Sequence, residues 1–205
     1  KEVFSMNLHT GPFTVEFLGT PEAGKTTTIH RIKEELSDSM NISILRESAE
    51  IVPDYFGKGT LEAHFWMRLT TSKSMLETKY SGNSDEIFIV DRGIIDTIFW
   101  DYYYGLNGTM SAEKVTHANV FFQDLGMLPN IVIYLSTTPE EAIKRRGGEG
   151  RIVTKEFVSN FNNALSSFLK TVSIPVYSLD TTLMSKDDVF LDVKNAIVSA
   201  YNARS

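Results

Sequence analysis

The stretch FTVEFLGTPEAGKTTT, residues 13–28, decides how the rest of the chain is to be read. Residues 13–19 have the apolar content of a strand, and Ile29, Ile32 and Leu36 follow at helical spacing, so a glycine-rich turn joins a strand to a helix. Gly19, Gly24, Lys25 and Thr26 satisfy G-x-x-x-x-G-K-[ST]. In that pattern the glycines let backbone amides turn inward around phosphate oxygens while the following helix presents its positive end to them. Gly19, Pro21, Glu22, Ala23, Gly24, Lys25, Thr26 and Thr27 are therefore the expected nucleotide-binding residues. Lys25 can reach the β and γ phosphates, and Thr26 supplies a hydroxyl for the magnesium ion such sites use. A triphosphate is held here. Whether its phosphate is hydrolysed or handed on is decided by the rest of the chain.

Outward from this stretch the same alternation repeats. NISILRE reads as a strand, Leu61, Phe65, Leu69 and Leu76 fall on a long helix, and EIFIVD is a strand ending at Asp91. One or two helices between about Ile94 and Leu125 precede the strand NIVIYLS. A short helix from Pro139, a helix from about Thr154 to Lys170, the strand IPVYSLD and a closing helix from Asp187 complete the chain. Runs such as IFIV and IVIY are apolar on successive residues, as strands covered on both faces must be, and helical crossovers make such strands parallel. The expected fold is α/β, a three-layer helix-sheet-helix sandwich around a five-stranded parallel sheet. Ligands then lie beyond the carboxyl ends of the strands, so Gly19, Glu47, Asp91 and Ser136 are expected to meet at one cleft.

A chain of 205 residues with 42% apolar and 22% charged side chains suits one domain, taken as residues 13–205, with residues 1–12 as an N-terminal arm or remnant. The net charge of −6 has the wrong sign for a surface that gathers polyanions, so nucleic acid is not an expected partner. There is no cysteine, which removes disulfides, thiolate metal sites and cysteine nucleophiles. No apolar run approaches the roughly 18–20 residues of a membrane span, and the first residues lack a signal-peptide core, so a cytoplasmic protein with no membrane partner is expected. The sequon Asn107-Gly108-Thr109 reads as a polar turn.

Asp91 is followed by Arg92, where motor and remodelling ATPases commonly place a glutamate to activate water. Arg92 cannot act as a base. The N-K-x-D segment of guanine-reading switches is missing, and Ser185-Lys186-Asp187-Asp188 imitates it poorly. EEAIKRRGGEGR, residues 140–151, puts Arg145, Arg146 and Arg151 around flexible glycines. That reads as a lid over about residues 143–153, which would neutralise the transferring phosphoryl group and exclude water. The competing reading is a solvated helix end with cations near its C-terminus.

At this point the chain resembles a family, the deoxynucleoside kinases and their thymidylate-kinase-like relatives among the P-loop kinases. The glycine loop matches. DRG at Asp91 resembles D/E-R-S or D-R-Y, and LSTTPEEAIKRRGGEGR is similar to the shared strand, P-E dipeptide and arginine-rich lid. LRESAE sits where the family carries E-P or R-E-P. The resemblance implies transfer of the γ-phosphoryl of ATP-Mg to a small acceptor, a nucleoside or nucleoside monophosphate, by an enzyme that is often a homodimer. It implies Lys25, Glu47, Asp91, Arg92, Arg145, Arg146 and Arg151 as catalytic residues and Thr26 and Asp91 as magnesium ligands. It gives Glu47 the acceptor, though the residues alone let either Glu47 or Asp91 serve as base, with Glu50 next. Arg92 would orient Glu47 or the acceptor oxygen. AHFWMRLTTSKSML resembles the helix that reads the acceptor base; the usual glutamine is missing, with His64 a substitute and Phe65 and Trp66 either a stacking face or plain core. Gly93 stands where the family has serine or tyrosine, and Glu47 lacks the following proline.

Overall fold

The computed structural model describes residues 11–57, 59–124, 127–150 and 152–204. Most of the expected arm, residues 1–10, lies outside the described residues, and Gly11 and Pro12 precede the first strand without regular structure. The strands are β1 (Phe13–Gly19), β2 (Asn41–Leu45), β3 (Glu86–Asp91), β4 (Ile131–Ser136) and β5 (Val176–Asp180). The helices are α1 (Lys25–Leu36), α2 (Leu61–Ser81), α3 (Ile94–Leu106), α4 (Ala112–Asp124), α5 (Pro139–Arg146), α6 (Lys155–Leu169) and α7 (Lys186–Asn202). The five strands form one parallel sheet in the order β2-β3-β1-β4-β5.

The helices start where the sequence supplies caps. Thr60, Thr138, Thr154 and Ser185 each accept a hydrogen bond from the amide three residues on, opening α2, α5, α6 and α7. Each such cap is worth about 1 kcal/mol. Ser185-Lys186-Asp187-Asp188 is therefore the start of α7. Asn107 likewise closes a turn, its side-chain oxygen accepting from Thr109 N–H at 3.1 Å.

Alternation along the strands divides the core in two. Val15, Phe17, Ile87, Ile89, Ile133 and Leu135 meet Ile29 and Ile32 of α1 and Val193 and Ile197 of α7. Leu18, Phe88, Val90 and Val132 face the other layer with Ile94 and Phe99 of α3 and Phe161 and Leu165 of α6. The near-continuous apolar runs of β3 and β4 are explained by this double coverage. The segment 94–124 resolves into two helices, α3 and α4.

α2 is the expected long helix, but its apolar spacing does not mark its buried side. Phe65 and Leu69 are 40% and 72% exposed. The inward side instead carries Ala63, His64, Thr71 and Met75. Polar partners hold that orientation: His64 Nε2 pairs with Asp101 Oδ1 at 2.7 Å, and Ser48 and Thr71 share a hydrogen bond of 2.7 Å. A hydrophobic stripe read without its partners cannot compete with buried polar groups that must be satisfied.

Candidate active site

The carboxyl ends of the strands open onto a cleft of about 940 Å³. Its walls come from Pro21 to Thr28 after β1, Glu47 after β2, Arg92 after β3, Glu141 and Arg145 on α5, and Thr181, Met184 to Asp187, Val189 and Phe190 beyond β5. Gly19 permits the loop: a Cβ there would lie 1.9 Å from Leu135 O, and its φ is +141°. Gly24 adopts φ +92° at the start of α1, and Glu22 also takes a positive φ of 61°. Pro21, Ala23, Gly24, Lys25, Thr26 and Thr27 line the cleft as the motif requires.

Lys25 is buried, and its Nζ donates to Gly19 O at 3.1 Å and Thr20 O at 2.9 Å. Burial, with Arg92 nearby, lowers its pKa to about 7 against the pull of Asp91 and Glu47. Thr26 Oγ1 donates to Asp91 Oδ2 at 3.0 Å, and Asp91 Oδ1 is buried with no hydrogen-bond partner. A hydroxyl beside an unpartnered carboxylate oxygen fits a hard divalent cation that also takes phosphate oxygens. Among the described residues no group of three or more His, Asp or Glu could hold a metal alone.

Glu47 and Asp91 flank Arg92. Arg92 Nε lies 3.0 Å from Glu47 Oε1, an ion pair off the line of a hydrogen bond, and Arg92 Nη1 donates to Asp96 Oδ1 at 3.0 Å. Burial works against the Arg92 charge, but Asp96, Glu47 and Asp91 outweigh it and push its pKa above the usual arginine value. Burial raises Glu47 and Asp91 despite their neighbouring cations. Asp96 carries no sequence signal for this role: Arg92 lies before α3 with a left-handed φ of 59°, so its pairing with Asp96 is not the side-by-side contact of a helix face.

The cations around the C-terminal end of α5 are divided. Arg145 is pinned: Nε meets Glu141, Nη1 donates to Thr181 Oγ1 at 3.1 Å and to Glu22 O at 3.3 Å, and Nη2 donates to Thr181 O at 2.6 Å. Arg146 lies 3.5 Å from Glu22 Oε1. Arg151 lies outside the described residues. The expected lid of 143–153 therefore begins as the last turn of α5, closed by Gly147 at φ 84°.

Other expected members sit elsewhere. The Ser136 carbonyl accepts from Thr181 N–H and Oγ1, so Thr181, one residue beyond β5, stands in the wall where Ser136 was expected. His64 is buried against Asp101, which Arg68 also approaches at 3.3 Å. Phe65 is partly exposed, and Trp66 packs near Phe56 with ring centroids 6.5 Å apart. Thr20, whose hydroxyl donates to Asn162 at 2.6 Å, and Thr181 carry no motif by which sequence would single them out.

Glu16 lies fully buried beneath this array, accepting from the amides of Gly93, Ile95 and Asp96 at 2.7–3.0 Å. Burial raises its pKa to about 8, although the backbone amides pull it down. Between the ordinary carboxylate range and about 8 the folded chain keeps a proton that the unfolded chain has released, so stability falls as pH rises through that window. Glu47 and Asp91 act in the same sense, and Lys25 opposes them only above about 7. The melting temperature is expected to fall from about pH 5 to about pH 7, and Glu16→Gln to flatten that slope. An unchanged slope in the variant would show that Glu16 does not titrate there.

A glycine loop between β1 and α1, a threonine and a carboxylate beside it, and cations along one cleft define a phosphoryl-handling P-loop fold. Comparison with known proteins narrows this. The chain is 30% identical over 145 residues to the thymidylate kinase of Thermoanaerobacter pseudethanolicus, covering 65% of this chain and 70% of that protein. It is 29% identical over 147 residues to the thymidylate kinase of Caldanaerobacter subterraneus subsp. tengcongensis, covering 66% and 69%. No protein-family model matches. Two structures of deoxyadenosine kinase from M. mycoides share the fold. The one with dCMP and dCDP bound has a TM-score of 0.68 at 22% identity over 91% of this chain and 99% of that one. The other, with bound dATP, scores 0.66 at 24% identity over 90% and 98%. The chain belongs to the thymidylate-kinase-like family of P-loop kinases, and it is a kinase. No helix among the described residues is long and apolar enough to cross a membrane.

Proposed function

We propose that the protein transfers the γ-phosphoryl of ATP to a deoxynucleoside or nucleoside monophosphate in the cytoplasm. The observation that carries this reading is one cleft lined at once by the glycine loop and by the Glu47–Arg92 pair. A donor held by the loop and an acceptor held by the pair would meet there. Positioning of this kind supplies most of the catalysis in phosphoryl transfer, because little covalent chemistry is left to the protein.

The geometry supports the following roles. Lys25 would neutralise charge developing on the transferred group. Thr26 and Asp91 would hold Mg2+, which when bound offsets charge on the phosphate oxygens. Glu47, raised by burial toward the range useful for a base, would orient an acceptor hydroxyl and take its proton late in the reaction, with Arg92 holding the carboxylate in place. Arg145, fixed between Glu22 O and Thr181, would form a wall for the donor rather than a mobile finger. Arg145→Ala is accordingly expected to raise the KM for ATP about tenfold with a smaller change in kcat, as loss of a ground-state contact does. A fall in kcat at constant KM would make Arg145 a transition-state charge instead.

The proposal is tested by incubating the enzyme with ATP and Mg2+ against deoxynucleosides and nucleoside monophosphates and measuring ADP. ADP formation that depends on one of these acceptors, with the phosphorylated acceptor recovered, is the expected result. ATP turnover indifferent to every acceptor would overturn it.

A further inference from the structure

Glu16 occupies the centre of the sheet, on the face of β1 that it shares with Leu18 and that α3 covers. A carboxyl group in such a place is costly unless its oxygens are used. They are. Oε1 accepts from Gly93 N–H at 3.0 Å and Asp96 N–H at 2.7 Å, and Oε2 accepts from Ile95 N–H at 3.0 Å. These are amides that a helix start leaves without intrahelical partners. Gly93 is the N-cap residue of α3 and has no side chain with which to cap it. A Cβ at position 93 would fall 2.7 Å from Glu16 Oε2 and 2.9 Å from Val90 Cγ1, so the space of a local capping group is already filled.

The residue before this junction is held in an unusual conformation. Arg92 has φ 59°, a left-handed geometry that a side-chain-bearing residue keeps only when its surroundings over-determine it. Phe17 O takes the Arg92 N–H at 2.9 Å, and the Glu16 side chain takes the next amide, that of Gly93. Consecutive residues of β1 thus grip consecutive amides of the β3–α3 link. Through the Asp96 amide, Glu16 also anchors the residue whose carboxylate meets Arg92 Nη1.

We propose that Glu16 is a positioning residue for phosphoryl transfer: it caps α3 from the neighbouring strand, in place of a serine cap at position 93, and so fixes Arg92 between Glu47 and Asp96. The inference rests on the reading of Glu47 and Arg92 as the acceptor pair.

Four variants test it: Glu16→Ala, Glu16→Gln, Gly93→Ser and the double variant Glu16→Ala with Gly93→Ser. Each is measured for melting temperature, and for kcat and KM with ATP against both deoxyadenosine and thymidylate. Glu16→Ala is expected to lower kcat about tenfold or more per folded molecule, with the KM for ATP within about twofold because the glycine loop is untouched. Glu16→Gln keeps the shape and an oxygen for two of the amides, so it should lose less. Gly93→Ser alone should also lose activity, because its side chain meets Glu16. The double variant should recover kcat and melting temperature beyond either single change, since with Glu16 gone only Val90 Cγ1 must shift to let the serine hydroxyl cap α3. Losses that multiply in the double variant would overturn the proposal, as would recovery of the melting temperature without recovery of kcat. Failure of the acceptor reading would appear differently. If Glu47→Gln keeps full turnover, Arg92 is not positioning the acceptor base and the positioning role falls, whereas the melting-temperature cycle still decides the cap.

Discussion

Lys25→Met is expected to lower kcat by about a thousandfold or more while the protein stays folded. The Lys25 side chain is buried, and its ammonium is held by Gly19 O and Thr20 O at the base of the glycine loop. Methionine has similar length and reaches the same space without opening a cavity. It also removes a charge that burial already disfavours, the reason the lysine pKa sits near 7. Stability should therefore change little, while the charge facing the transferring phosphoryl group is lost. Thermal melts and single-turnover kinetics check both halves. A folded Lys25→Met protein with ordinary turnover would remove the phosphate assignment altogether.

Glu47→Gln is the second large effect, and its size depends on the acceptor. With a nucleoside hydroxyl as nucleophile a proton must leave, and loss of a positioned base costs about 10²- to 10⁴-fold in kcat. With a nucleoside monophosphate the attacking oxygen is already ionised at neutral pH, so the same change should cost much less. Glutamine keeps an oxygen facing Arg92, so the 3.0 Å neighbour of the guanidinium is retained and the site should not collapse. Magnesium-dependent ATP binding, measured by calorimetry, should be nearly unchanged in Glu47→Gln and weakened in Asp91→Asn, since Asp91 rather than Glu47 stands beside the Thr26 hydroxyl. The reverse pattern would exchange the two carboxylates. If Glu47→Gln keeps full turnover with every acceptor, the base lies elsewhere. Glu50 is next, on the short helical turn Ser48–Glu50 and beside the same small cavity as Glu47.

Much of this is legible in the sequence. Strand, glycine loop and helix follow one another without interruption from Phe13 to Leu36, so local pattern alone sets both the phosphate cradle and the start of a parallel sheet. The continuous apolar runs of β3 and β4 announced burial on both faces. Glu47 and Asp91 could be placed at strand ends because a parallel sheet aligns all its carboxyl ends on one edge.

What the sequence by itself determined is whatever neighbouring residues decide among themselves: the period of each element, the helix caps and the glycine loop. Only the tertiary structure decided the partners that sheet order brings together. Glu16 meets the amide of Gly93 across 77 residues, Arg145 meets Thr181 across 36, and His64 turns inward to Asp101 across 37. None of these residues carries a local signal of its partner. A buried polar group takes whichever donor or acceptor the packed layers present to it, and that choice, unlike a helical period, exists only once β1, β3 and their covering helices are in place.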